Sequence, residues 1–359
     1  MGTTAAAHAG SLVRGLAARG VEVTVCGPAA MEREIRFTDA GARFLPVEIG
    51  GGGASDAAAV TALRAACAGA GAVHAHGLRP AVLAALALGG RRTPLVVGWV
   101  GTESGAAPGP RGLGLRWMER RALRAASVVL GVSSELVDRA RAYGARDVRL
   151  APPALPRPAP RPPRPPAEGE RQRQKTRAEF GAVDRPLLLA VGRLEPHKGY
   201  DLLLDAAARW AVHDPAPLVA VAGEGSRRAA LERRIEAGRL PVLLLGRRDD
   251  VPELLTAADL VLLPSRWEAR ALIAQEALHA GVPLVATDVG GMRELVGEAA
   301  VLVPSGDAEA FAGAVTALLA DPARRTALAV AGRAQAATWP TEDDAVAQVL
   351  SVYDEITRR

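Results

Sequence analysis

Short runs of Val, Leu and Ala alternate along this chain with longer Ala- and Arg-rich segments of helical spacing, and the alternation occurs twice. In the first half the apolar runs are Val21–Val25, Ala72–His76, Pro94–Gly98 and Ser127–Val132, separated by segments such as Ser11–Arg19 and Pro80–Leu88. In the second half they are Pro186–Val191, Leu218–Ala222, Val242–Leu245, Leu260–Leu263, Pro283–Ala286 and Ala300–Val303, with an amphipathic helix over Asp201–Ala211. Near-continuous apolar runs mark strands buried on both faces, as in parallel sheets. Strand and helix in regular succession predict a doubly wound α/β arrangement. The expectation is therefore two Rossmann-like parallel-sheet domains facing a cleft, with ligands at the carboxyl ends of the strands.

Proline marks the boundary between the halves. Residues 152–166 hold nine prolines in fifteen positions, with arginines between them. Proline fixes φ and lacks an N–H, which excludes helix and central strand and leaves a semi-rigid spacer. The domains are read as 1–151, a linker over 152–168, a second domain over 169–338 and a closing helix within 339–359. That helix carries a stripe at Val346, Val349, Leu350, Tyr353 and Ile356, and is free to pack back on the first domain. Met1-Gly2-Thr3-Thr4 reads as the loop after a first strand that is itself missing, so an upstream segment encoding that strand is expected.

Composition changes the picture only a little. A chain of 359 residues, 49% hydrophobic, has ample material for two cores. The net charge of +5 comes from Arg and suits anionic partners, yet no aromatic-studded basic run or nucleic-acid motif accompanies it. Cys26 and Cys67 fit no metal spacing and read as inert thiols of a reducing compartment. No apolar stretch is long enough to span a bilayer. A cytoplasmic protein is expected, with room for peripheral contact at the inner membrane face: the segment Leu113–Ala125 places Leu115, Met118 and Ala122 on one side and Arg116, Arg120 and Arg124 on another.

The candidate chemistry lies where strands end. After Val191 comes Gly192-Arg193-Leu194-Glu195-Pro196-His197-Lys198-Gly199, which puts two cations in a turn entering a helix, an arrangement suited to an anion. The next strand ends in Gly223-Glu224-Gly225, too few glycines for a dinucleotide fingerprint. Leu263 is followed by Pro264-Ser265-Arg266-Trp267-Glu268, and Glu276 stands eight residues beyond Glu268. A helix starting near Ala271 would offer free amides to phosphate oxygens. One glutamate can then accept bonds from ribose hydroxyls while the other reaches a sugar.

Taken together, these segments resemble the retaining glycosyltransferases of family 4, whose architecture is called GT-B. The matching string runs through Lys198-Gly199, Gly223-Glu224-Gly225, Leu245-Gly246-Arg247, Ala257-Ala258-Asp259, Glu268 to Glu276, Ala280–Pro283 and Gly290-Gly291. The first half matches more loosely, in Leu12–Gly20 and Val73–Gly77. The resemblance implies a nucleoside-diphosphate sugar as donor, no resident cofactor and no metal. It implies that Arg193 and Lys198 bind the donor diphosphate, Glu268 contacts the sugar, Glu276 the ribose, the amides of Ala271 and Leu272 the phosphate, and Arg247 the base. Gly192, Gly223, Glu224 and Gly225 would complete the donor pocket. On the acceptor side it implies Gly2, Thr3, His8 and His76, with an acceptor that is a small molecule, lipid or glycan.

Four positions depart from the family pattern. The first strand is missing, Val100 stands where a histidine is usual, Arg270-Ala271 replaces Phe-Gly, and Pro152-Pro153-Ala154-Leu155 replaces the usual Asn-Gly-Val-Asp. His74 and His76 are expected on opposite faces of their strand, so that only His76 reaches the cleft; without a third ligand they make no metal site. Two alternatives remain on the sequence alone: a nucleotide-sugar-binding protein with little transfer activity, and a GT-B-fold nucleotide-sugar epimerase.

Overall fold

The computed structural model describes residues 3–49, 54–101, 110–154 and 166–358. The chain divides into two compact units, Met1–Pro158 with Pro340–Arg359, and Ala159–Trp339. The second unit is thus inserted into the first. Most of the proline-rich stretch, residues 155–165, lies outside the described residues.

Unit 1 contains β1 (Thr24–Gly27), β2 (Arg43–Pro46), β3 (Val73–His76), β4 (Leu95–Trp99), β5 (Val128–Gly131) and β6 (Val148–Leu150). β1 and β2 form a two-stranded parallel sheet, and β3-β4-β5-β6 a separate parallel sheet of four strands. No ladder joins β1 to β3, so each keeps an unpaired edge among the described residues. Thr3 and Thr4 are already helical, in the element Thr3–Ala17, and do not form the loop expected of them. The alanines that follow, Ala5 to Ala7, are of the strongest helix-forming type, which favours helix from Thr3 onward.

The closing helix, Glu342–Thr357, belongs to unit 1. It opens on a capping box in which the Thr341 hydroxyl accepts from the Asp344 amide and the Asp344 carboxylate accepts from the Thr341 N–H. Val346, Val349 and Val352 then pack with Leu12, Leu16, Val96, Val128 and Leu130 in one core. Gly15 makes the approach possible, because a Cβ there would lie 2.4 Å from Val346.

Unit 2 contains β7 (Leu187–Val191), β8 (Leu218–Ala222), β9 (Val242–Gly246), β10 (Leu260–Leu263), β11 (Leu284–Thr287) and β12 (Val301–Val303). They form one parallel sheet in the order β12-β11-β10-β7-β8-β9. Leu187 and Leu189 enter the core on one face of the sheet, Leu188 and Ala190 that on the other. Burial of both faces is why these strands read as unbroken apolar runs. At the amino end of the sheet Asp259 accepts from the Leu187 amide at 2.8 Å and from Arg173 and Arg177. The charged helix Pro166–Glu179 is thereby tied to the sheet.

Candidate active site

The strand order of unit 2 reverses between β7 and β10. Chain leaving β7 runs outward to β8 and β9, whereas β10 leads the other way to β11 and β12. At such a switch point neighbouring strand-end loops diverge and leave a crevice. The loops that meet there are Gly192–Gly199, after β7, and Pro264–Ala271, after β10.

Backbone contacts between loops hold this region together. Gly199 has φ +69°, and a Cβ on it would fall 1.9 Å from the Pro264 carbonyl oxygen. The Arg266 amide donates to the His197 carbonyl at 2.7 Å, and the Gly291 amide to that of Glu268 at 2.9 Å. Toward β8, a Cβ on Gly223 would fall 1.9 Å from the Gly192 oxygen, and the Leu194 amide donates to Glu224 at 2.8 Å. The motif glycines thus admit neighbouring protein backbone, where the sequence pattern suggested an approaching ligand. The buried Tyr200 hydroxyl donates to the Gly192 carbonyl at 3.1 Å and fixes the turn.

This scaffold brings Lys198 to Glu268, with Nζ 2.5 Å from Oε1. The Ser265 hydroxyl donates to the same oxygen at 2.7 Å. Glu268 is buried, and a carboxylate there requires such donors. Directly beyond it the helix Leu272–Ala280 begins at Ala271, with no side chain capping its amino end. Its first amides have no intrahelical acceptor, and the helix dipole adds a partial positive charge. Glu276 lies on this helix, half-buried and without a hydrogen bond or ion pair among the described residues; burial raises its pKa. Ser265 and Tyr200 were not singled out in the sequence, although Ser265 follows a buried strand directly and stands three residues before Glu268.

The other donor-side candidates do not converge on this pair. The Arg193 side chain is exposed and makes no bond among the described residues. Glu224 is engaged by Arg228 at 2.6 Å. Arg247 is exposed, 3.5 Å from an equally exposed Asp249. Arg270, which replaces the usual aromatic, lays its guanidinium 5.6 Å from the centroid of the Trp339 ring. Burial lowers its pKa to about 10.

In unit 1 a cavity of about 40 Å³ is lined by His8, His74, His76, Val100, Pro152 and Gln348, among others. His74 and His76 project to the same face of β3, with rings stacked at 4.2 Å, contrary to the expectation of opposite faces. Successive strand residues alternate, so positions two apart share a side. His8 reaches His76 from the first helix, 6.0 Å between ring centres. His74 Nδ1 bonds to the Tyr353 hydroxyl at 2.8 Å, and its Nε2 has no partner among the described residues. A Cβ at Gly98 would lie 3.2 Å from both the His74 and His76 rings, so the glycine makes room for the stack. Burial lowers the pKa of His8 to about 4 and of His76 to about 3, and drives His74 well below the usual range. All three imidazoles are therefore neutral at pH 7. Among the described residues no group of three or more His, Cys, Asp or Glu is placed to hold a metal. Gly2 lies outside the described residues, and Thr3 is in the first helix. Burial, reinforced by Cys67, raises the Cys26 pKa to about 11, which leaves that thiol unreactive.

Comparison with known proteins accords with this geometry. Residues 172–335 match the family Glycosyl transferases group 1, and residues 3–154 match the Glycosyl transferase 4-like domain. The chain belongs to the group 1, family 4-like glycosyltransferases. It is 31% identical over 249 residues to the alpha-D-kanosaminyltransferase of Streptomyces kanamyceticus, covering 67% of this chain and 64% of that protein. It is 38% identical over 185 residues to the D-inositol 3-phosphate glycosyltransferase of Thermomonospora curvata, covering 47% and 43%. The match thus spans less than two thirds of either relative. Among solved structures, HepE of Anabaena in complex with UDP and glucose superposes with a TM-score of 0.82 at 20% identity, over 99% of this chain and 96% of that one. Sucrose-phosphate synthase of Thermosynechococcus elongatus gives 0.78 at 21%, over 97% and 92%. The fold is GT-B.

Proposed function

We propose that this chain is a metal-independent glycosyltransferase that moves a sugar from a nucleoside-diphosphate sugar to an acceptor hydroxyl with retention of anomeric configuration. The observation that carries the reading is the Lys198–Glu268 pair beside an uncapped helix amino end at the switch point of unit 2. A diphosphate bound there meets the free amides of Ala271 and Leu272 and the ammonium of Lys198. Arg193, exposed on the same loop, adds a second cation. Such groups favour the charge that grows on the leaving phosphate as the bond from the anomeric carbon to the phosphate oxygen breaks. The acceptor oxygen forms its bond to that carbon on the same face, and its proton passes to the departing phosphate oxygen. Glu268 is left to orient the sugar hydroxyls, and the unpartnered Glu276 to take the ribose.

Family membership supports transfer, and the UDP complexes of HepE support a nucleotide in the corresponding fold. The test is incubation of purified protein with a panel of UDP- and GDP-sugars, with and without EDTA. Nucleotide release is followed, and the anomeric configuration of the product is read by NMR. Release that survives EDTA with a retained product is expected. Nucleotide binding without release or transfer would mark a binding protein, and an inverted product would overturn the stereochemistry.

A further inference from the structure

Three arginines line an open cavity of about 260 Å³ at the amino end of the unit 2 sheet, the end opposite Lys198 and Glu268. Its walls include Arg177, Asp184, Arg185, Asp259, Leu319 and Arg325. The arginines come from separate elements: Arg177 from the helix Pro166–Glu179, Arg185 from the segment just before β7, and Arg325 from the helix Pro322–Ala337. Each is half-buried. Gathering like charges partly out of water is costly unless an anion joins them.

The carboxylates nearby do not supply that anion. Asp259 carries one charge, which Arg173 and Arg177 already share at 2.7 and 2.9 Å. The Leu187 amide donates to the same oxygen as Arg177, at 2.8 Å. Asp184 is exposed and makes no ion pair among the described residues. Arg325 is held by backbone instead: its Nη1 donates to the Leu318 and Leu319 carbonyls, both at 2.6 Å, at the end of the helix Ala308–Ala320. These neutral acceptors fix the guanidinium and leave its charge uncompensated. Arg185 makes no ion pair among the described residues, and its Nε is buried without an acceptor there. A guanidinium N–H shut away from water and unpaired is destabilising, and a bound acceptor removes that penalty.

Phosphate matches these groups, because a planar guanidinium presents paired N–H donors at the spacing of two phosphate oxygens. The cavity is several times the roughly 30 Å³ share of one water, which leaves room for an organic group beside the phosphate. Asp184 can accept from a hydroxyl of that group, and its charge repels a second phosphate. We propose that this cavity binds a small hydroxylated phosphate monoester, with Arg185 and Arg325 as the main donors. The site lies at the far end of β7 and β10 from the donor loops and does not rest on the proposed transfer reaction.

The experiment is titration calorimetry of the full chain with glycerol 3-phosphate, inorganic phosphate and glycerol, and with UDP in parallel. Glycerol 3-phosphate is expected to bind with single-site stoichiometry, at least about threefold more tightly than inorganic phosphate, and glycerol not at all. Arg185→Gln and Arg325→Gln should each weaken it about tenfold and leave UDP binding unchanged. Lys198→Ala should weaken UDP and leave glycerol 3-phosphate as it was. Arg325→Gln frees two helix-end carbonyls and should lower the melting temperature. Arg185→Gln removes no side-chain hydrogen bond or ion pair among the described residues, so its loss of binding is separable from unfolding. No binding of either phosphate, binding that Lys198→Ala abolishes, or full binding by Arg185→Gln overturns the proposal. So does inorganic phosphate binding as tightly as the monoester, which would assign the cavity to a free anion.

Discussion

Lys198 and Glu268 stand 2.5 Å apart, Nζ to Oε1, although seventy positions separate them in the chain. Each comes from a different strand-end loop, so the pair reports the alignment of β7 with β10. Both residues also stand where the donor phosphates and sugar are proposed to bind. Removing one partner of a buried pair leaves the other charge without compensation. Lys198→Ala is therefore expected to lower stability by about 2 kcal/mol and nucleotide-sugar affinity by more than about tenfold. Glu268→Gln should cost less stability, because Ser265 can still donate to the amide oxygen. Thermal unfolding and titration calorimetry with UDP-glucose read the two effects separately; unchanged donor affinity in both variants would remove Lys198 from the site.

Glu276 predicts the opposite relation between stability and function. Its raised pKa follows from burial without a partner. A group whose folded pKa is raised stabilises the fold below its unfolded value, and that contribution is lost as pH rises through the folded value. Above that range the ionised carboxylate is thus a burden on the unliganded protein. Glu276→Gln should leave the melting temperature unchanged or higher while weakening UDP binding about tenfold or more. A variant that is less stable but binds UDP normally would assign Glu276 a structural role.

The Gly199 contact predicts intolerance of the smallest possible addition. Its φ of +69° and the Pro264 oxygen 1.9 Å from a Cβ leave no room for Ala. Gly199→Ala should cost about 2 kcal/mol or more and displace Lys198 at the same time. Gly20→Ala, also at positive φ but with nothing within 4 Å, provides the control for backbone strain alone. Equal losses in the two variants would show that the loop contact contributes little.

The histidine cluster gives unit 1 a pH dependence. His8, His74 and His76 have folded pKa values lowered chiefly by burial. The unfolded chain therefore takes up more protons than the folded one once pH falls below about 6.5, and stability falls with it. The loss should run from about pH 6.5 toward 4, at up to roughly 1.4 kcal/mol per pH unit for each group. A His74→Phe, His76→Phe double variant should flatten that slope, read by chemical denaturation at several pH values. An equally steep slope in the variant would trace the acid sensitivity to other groups.

These residues also show what the sequence could reveal. β8 and β10 occupy the apolar runs Leu218–Ala222 and Leu260–Leu263 without adjustment, because burial on both faces leaves an unbroken signal. β2 and β6 escaped because they are short and end or alternate with Pro46 and Arg149, which give no run to detect. The glutamate spacing located the β10 loop. The partner of Glu268 was not legible, since a contact seventy residues away depends on strand order, and strand order is written in no local pattern. Arg193 and Lys198 looked equivalent five positions apart. The turn between them, closed by Tyr200 on Gly192, leaves one in solvent and one on a carboxylate.

The insertion of unit 2 within unit 1 has a bearing on synthesis. The helix Glu342–Thr357 supplies Val346, Val349 and Val352 to the same core as Leu12 and Leu16. While the ribosome still holds Glu342–Thr357, unit 1 lacks one wall, and Leu12 and Leu16 have only Val96, Val128 and Leu130 of that core to cover them. Unit 2, continuous from Ala159 to Trp339, can close first. The helix Thr3–Ala17 is made before unit 2 yet completes its packing after it, and for that interval a chaperone would find a binding surface there.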